Sequence, residues 1–142
     1  MDRQQWEEME KKKEYLNGYK AAKRREELIL EQIQKLRSDA MMPSVNNDDM
    51  PHGNGGKSDL SDYIEKREEL MVELQEERLA AVREYKKIYR SVKQIKDDEE
   101  REVLTRYYLM REKWDDIPQK IGYSRSKMFK VYECALKNFQ IL

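Results

Sequence analysis

Between positions 3 and 37 the apolar residues Trp6, Met9, Leu16, Tyr19, Ala22, Ile29, Ile33 and Leu36 recur mostly three or four apart, with a gap around Arg25 and Glu26. A helix turns about 100° per residue, so that spacing gathers them on one face. The residues between them are mainly strong helix formers, and the stretch holds no proline and one glycine, Gly18. The pattern predicts an amphipathic helix over residues 1–40, softened at Gly18. A more regular run follows. Leu60, Ile64, Arg67, Met71, Leu74, Arg78, Ala81, Tyr85, Ile88, Val92 and Ile95 advance by fours and threes, the repeat that keeps one seam against one partner helix. This predicts a long heptad helix over residues 58–97, capped by Ser58 or Asp59, with Tyr63, Leu70, Val82 and Tyr89 beside the seam as packing residues. At 1.5 Å per residue each helix is roughly 50–55 Å long. They can fold back on each other or pair with a second chain, and the pattern leaves both open.

Residues 41–57 hold two of the three prolines and three of the five glycines. Such a segment buries too little apolar surface to offset its ordering entropy and reads as a flexible linker.

The periodicity changes again from residue 98 to 142. Asp97 or Asp98 can cap a helix through Val103, Leu104, Tyr107 and Tyr108. Asp115 or Asp116 begins a very short helix with Ile117 and Ile121, since Pro118 is tolerated only in a first turn. Gly122 supplies the left-handed residue that ends it. Ser124 caps a third helix with Met128, Val131, Tyr132, Ala135, Leu136 and Phe139 on one face. Short helix, glycine turn, serine cap and longer helix is the plan of a helix-turn-helix, whose second helix enters the DNA major groove. On a helical wheel Ser126, Lys130, Glu133 and Lys137 point away from the apolar face, with Arg125 and Phe129 on one flank and Lys127 and Cys134 on the other. The flank position of Phe129 favours packing against the core over contact with a thymine methyl. Arg111 and Lys113 precede the short helix and are placed to meet phosphates.

Composition constrains what this unit can bind. Charged residues make up 41% of the 142, with 29 Lys and Arg against 29 Asp and Glu. A neutral chain has no global attraction to nucleic acid or to an anionic membrane, so such binding needs a local patch. Residues 122–142 supply one, with four basic residues against one acidic. The single cysteine, Cys134, excludes an internal disulfide, and the single histidine, His52, excludes the common zinc spacings. No nucleophile-and-base constellation can be assembled, so no enzyme, metal or cofactor is expected. No secretory signal or membrane span is visible, which places the protein in the cytoplasm. From residue chemistry alone, a DNA-binding unit and a protein-interaction module both stay open.

The gapless stretch from Trp114 to Phe139 resembles region 4 of the sigma-70 family. The likeness lies in Asp115-Asp116-Ile117, Gly122, Ser124-Arg125 and Ala135-Leu136. The whole chain is similar to small phage and prophage proteins related to the RinA and ArpU late transcriptional regulators, through Glu14 to Asn17, residues 55–62 and Arg101 to Tyr108. The resemblance implies a phage regulator that binds double-stranded DNA, together with host RNA polymerase, in a bacterial cell. Pro118 stands where these proteins usually have alanine, Tyr107 where they often have arginine, and Phe129 where sigma factors carry arginine. The expectation is thus an all-α protein in which two long amphipathic helices precede a compact C-terminal three-helix unit. The helices would form a homodimer, and Arg111, Lys113, Ser124, Arg125, Ser126, Lys127, Lys130 and Lys137 would contact DNA. The competing expectation is a coiled-coil adaptor or a small packaging subunit.

Overall fold

A computed structural model describes residues 2–41 and 55–142. Among the described residues six α-helices run in order: α1 (Arg3–Leu16), α2 (Gly18–Met41), α3 (Gly55–Lys93), α4 (Asp98–Leu104), α5 (Ile117–Ile121) and α6 (Arg125–Asn138), with a π-helical turn at Thr105–Leu109 between α4 and α5. Among the described residues there is no strand, so the protein is all-helical as the periodicity requires. The linker expected at 41–57 falls largely outside the described residues, as does His52. The helix α3 begins at Gly55, so Ser58 and Asp59, read as caps, lie inside it. Glycine lowers helix propensity by about 1 kcal/mol per residue but does not forbid the conformation, and Gly55 and Gly56 are helical here.

The chain forms two compact units, Arg24–Leu79 and Met1–Lys23 with Ala80–Leu142. In the first, α2 and α3 run antiparallel within one chain, joined by Arg25 Nε to Glu77 Oε2 at 2.8 Å and by Arg78 Nε to Glu26 Oε1 at 3.2 Å. These pairs fill the gap that Arg25 and Glu26 leave in the apolar pattern. Ile29 and Leu74 are buried, whereas Leu60, Ile64 and Met71, read as seam residues, are exposed and Tyr63 and Leu70 are half-buried. A single partner helix covers only one narrow stripe, and the heptad runs wider than that stripe.

In the second unit α1 begins with a reciprocal cap: Asp2 accepts from the Gln5 amide at 2.8 Å and Gln5 accepts from the Asp2 amide at 3.3 Å. The helices α1 and α2 are separated only at Asn17, next to the glycine that softens the pattern. Tyr19 meets Tyr85 edge-on at 5.2 Å, so α2 and α3 are paired within the chain here too. The main core joins Leu16 of α1, Ile88 and Val92 of α3, Ile95 after it, Leu104 of α4, Tyr108 and Leu109 of the π-turn, and Ala135, Leu136 and Phe139 at the end of α6. The C-terminal helices therefore share their core with α1 and with the end of α3. Lys12 fixes the same junction from outside, its Nζ donating to the carbonyls of Leu136 at 2.9 Å and Lys137 at 3.2 Å. Those carbonyls have no intrahelical partner, and a cation suits the negative end of α6.

Asp97 caps α4, accepting from the Glu100 amide at 3.0 Å, and three acidic residues in its first turn complement the helix dipole. Arg101 donates to the Ile95 carbonyl at 2.9 Å and pairs with Asp98, closing the turn between α3 and α4. The π-turn, closed by Met110 N to Thr105 O at 2.8 Å, inserts one residue per turn relative to an α-helix. Both Tyr108 and Leu109 are buried within it.

Candidate nucleic-acid interface

The short helix α5 starts at Ile117 with Asp116 before it, which puts Pro118 in the first turn, where its missing amide costs nothing. Ile117 and Pro118 are buried. Gly122 closes α5 at φ 75°, the left-handed region, and the Tyr123 amide donates to the Pro118 carbonyl at 2.9 Å. A Cβ on Gly122 would meet no atom within 4 Å, so substitution there is opposed by backbone conformation alone. Gly122→Ala should therefore cost about 1–2 kcal/mol in urea denaturation, and Gly122→Asn less, because asparagine tolerates this region better.

Ser124, in extended backbone, accepts from the Lys127 amide at 3.1 Å and so caps α6 as its sequence position predicts. Met128, Ala135 and Leu136 are buried and Val131 and Tyr132 half-buried, which fixes the rotation of the helix. Met128 sits with Val103 and Ile117 in a small second core, lined by Trp114, Ile121 and Tyr123. Glu100 of α4 accepts both bonds from the Asn138 amide group, at 2.8 and 3.2 Å. Nothing in the residue pattern singled out that pair. It ties the far end of α6 to α4.

Tyr108 and Tyr132 share a hydroxyl hydrogen bond of 2.6 Å. Burial pushes both phenols above their ordinary value, and for Tyr108 the bond to Tyr132 adds to it. The folded pair thus holds its protons where an unfolded chain releases them. Stability should be complete below about pH 10, the ordinary phenol value, and fall as pH rises beyond it. The thermal midpoint followed from about pH 8 to about pH 11 checks this, and Tyr108→Phe should flatten the upper part of the curve.

With the apolar face inward, Ser124, Arg125, Ser126, Lys130 and Lys137 are exposed and Glu133 is half-buried. Among the described residues neither Arg125 nor Lys130 has an acidic partner within ion-pair distance. Lys127 is engaged, its Nζ 3.5 Å from Glu99 Oε1 and 4.1 Å above the Tyr123 ring. Lys137 lies about 18 Å along the helix from Arg125, beside Gln5, Glu8, Met9 and Lys12 of α1 in a surface groove. Arg111 and Lys113 are exposed in the link before α5. Arg111 adopts φ 58°, unusual for a residue with a side chain, and between them Glu112 is held by Arg106 at 3.0 Å and Lys120 at 3.2 Å. Arg125, Lys127 and Lys130 thus lie together in the first turns of α6, with Lys137 at its other end and Arg111 and Lys113 in the link before α5.

Comparison of the chain with protein-family models, with curated proteins and with solved structures gave no match. The local geometry is accordingly what bears on function.

Phe129 differs from expectation. It is 53% exposed rather than packed on the core flank, because Met128 already fills the pocket between Val103 and Ile117 and leaves its neighbour on the outer face. Tyr107 is half-buried. Its ring stands edge-on to Trp114 at 5.3 Å and beneath Lys20 Nζ at 3.3 Å. Cys134 is exposed on α6. Among the described residues no group of three His, Cys, Asp or Glu is arranged to hold a metal ion, and no helix is long and apolar enough to cross a membrane.

Proposed function

We propose that the protein is a transcriptional regulator of phage type that binds double-stranded DNA through α5, the Gly122 turn and α6. In this reading α2 and α3 are the long arms, and α4, α5 and α6 are the three helices of the reading unit. The observation that carries it is the outer face of α6: Arg125, Ser126, Phe129 and Lys130 stand exposed together behind a serine cap, without acidic partners for the two cations. Arg125 and Lys130 suit guanine edges or phosphates, Ser126 either partner, and Phe129 a thymine methyl. The Ser124-capped N-terminus favours a phosphate. Lys127 contacts the backbone only by leaving Glu99, and Arg111 and Lys113 reach a neighbouring phosphate strand. Lys137 is the most distant member of the set and contributes least.

The chain's zero net charge gives little sequence-independent attraction, so binding rests on base contacts, on two copies reading two half-sites, and on bacterial RNA polymerase as a second partner in the cytoplasm. A gel shift on random duplex DNA should show weak binding at low salt that disappears at moderate salt. No shift at low salt would contradict the reading.

The exposure of Phe129 also favours a second reading, an adaptor that presents this face to another protein. Phe129→Ala separates the two. If the ring reads a thymine, the variant loses affinity for a selected duplex while binding random duplex as the parent does. If the face binds protein, neither DNA affinity changes.

A further inference from the structure

The zero net charge of the chain is the sum of two opposite charges. Residues 24–79 carry eight basic side chains against fourteen acidic, and residues 1–23 with 80–142 carry twenty-one against fifteen. The unit that holds α6 is therefore positive by six, and α6 supplies only part of the excess. The densest part lies on the same unit in α3, where residues 83–93 hold five basic side chains against one acidic. That acid is Glu84, and it is paired with Lys87 at 3.2 Å.

The other four form a row. Arg83, Lys86, Arg90 and Lys93 fall within about 80° of the helix circumference, on the side opposite buried Ala81, Ile88 and Val92. All four are exposed, and among the described residues none has an acidic partner within ion-pair distance. The row is about 15 Å long. At its far end Lys93 stands 5.0 Å over the Tyr89 ring and shares a groove with Arg101, Arg106 and Met110. The carboxylates of that groove, Asp98 and Glu102, are held by Arg101 and Arg106. Met110 is followed directly by Arg111, so basic side chains continue from α3 to the link before α5.

From this row we infer that the C-terminal part of α3 is a second contact surface for duplex DNA, holding the phosphate backbone beside the stretch met by α6. Four unopposed cations in a line suit a linear polyanion, and each strand of a duplex presents one phosphate per roughly 3.4 Å of axis. A protein partner fits less well, because a protein-binding face carries apolar residues at its centre and charges at its rim. Here the order is reversed: exposed Val82 and Tyr89 lie on the edge of the row. An anionic membrane also fits less well, since a helix lying on lipid must bury an apolar face in it, and that face of α3 is closed in the core. The inference rests on the function proposed above for the choice of duplex DNA, yet its residues are none of those assigned there. Contacts of this kind position the backbone without reading bases.

The test compares the full chain with a variant carrying Arg83→Gln, Lys86→Gln, Arg90→Gln and Lys93→Gln together. Glutamine keeps the helix propensity, and circular dichroism should show unchanged helix content. Binding to a random-sequence duplex and to a duplex selected by the parent is followed by fluorescence anisotropy over a range of salt. The variant should bind both more weakly by the same factor, about tenfold at low salt, with a salt dependence shallower by about two units. Unchanged affinity and slope overturn the inference and leave the reading of α6 standing. A loss confined to the selected duplex overturns it too. So does pelleting of the parent with phosphatidylserine and phosphatidylcholine vesicles that the variant loses while its duplex affinity is kept. A parent that binds random duplex but selects no motif, with the variant weakened on random duplex as stated, supports this surface and counts only against base reading by α6.

Discussion

Replacing Leu16 with alanine lowers the stability of the C-terminal helices by about 2–5 kcal/mol, although Leu16 lies more than seventy positions earlier in the chain than α4. The residue is fully buried among Ile88, Val92, Leu104, Leu109, Leu136 and their neighbours. Truncation removes its transfer free energy and leaves a cavity that three helices and a π-turn must collapse to fill. Trp114 lies in the adjoining small core, against Tyr107 and Tyr132. Its fluorescence therefore reports this unit, provided exposed Trp6 is first replaced by phenylalanine. Guanidinium unfolding followed at Trp114 should shift to much lower denaturant in the Leu16→Ala chain. The same substitution at Leu28, 57% exposed, should change stability by no more than about 0.5 kcal/mol. An unshifted Trp114 transition would mean that α1 is not part of the core that positions α6.

Removing Arg125 and Lys130 together should abolish DNA binding with little effect on folding. Both side chains are exposed and without acidic partners among the described residues, so truncation leaves no cavity and no orphaned charge. Each contributes about 1–3 kcal/mol if it reads a base edge, so the double alanine variant should lose at least about thirtyfold in affinity. Where either cation contacts a phosphate instead, the salt dependence becomes shallower by about one unit per contact. The comparison variant is Lys137→Ala, about 18 Å farther along α6, which should change affinity several-fold less. Equal effects at the two ends would place α6 lengthwise along the duplex rather than end-on in the groove.

Local chemistry was readable from the residues and long-range packing was not. Gly122, Ser124 and Asp97 each satisfy a requirement of the backbone within a few positions, and each does in the fold what its type and place demand. The face of α6 followed from spacing alone, since Met128, Ala135 and Leu136 can share a side in only one rotation. The meeting of Leu16 with Leu136 and of Lys12 with the end of α6 had no such signal, because an amphipathic stripe states that a face is covered and not by what. The π-turn was hidden for a related reason: Val103, Leu104, Tyr107 and Tyr108 fit an ordinary helix, and it is the bond from Met110 N to Thr105 O that marks the extra residue. In α3 the apolar pattern was broader than one partner can cover, so the heptad reading assigned Leu60, Ile64 and Met71 to a seam that leaves them exposed. Phe129 was misplaced because a wheel assigns a flank residue to core or solvent with equal ease, and the volume of Met128 decides it. Of the candidate site, the grouping of Arg125, Ser126 and Lys130 was legible, whereas the engagement of Lys127 by Glu99 and Tyr123 depended on how α4 approaches α6.

The central claim, that the outer face of α6 reads DNA, is tested most directly by selecting bound duplexes from a random pool with the full chain at low salt. The account predicts enrichment of a motif whose two inverted half-sites lie about one helical turn apart, lost when Arg125 and Lys130 are both replaced by alanine. A pool that remains random after repeated rounds, or a motif enriched equally by that double variant, would contradict it.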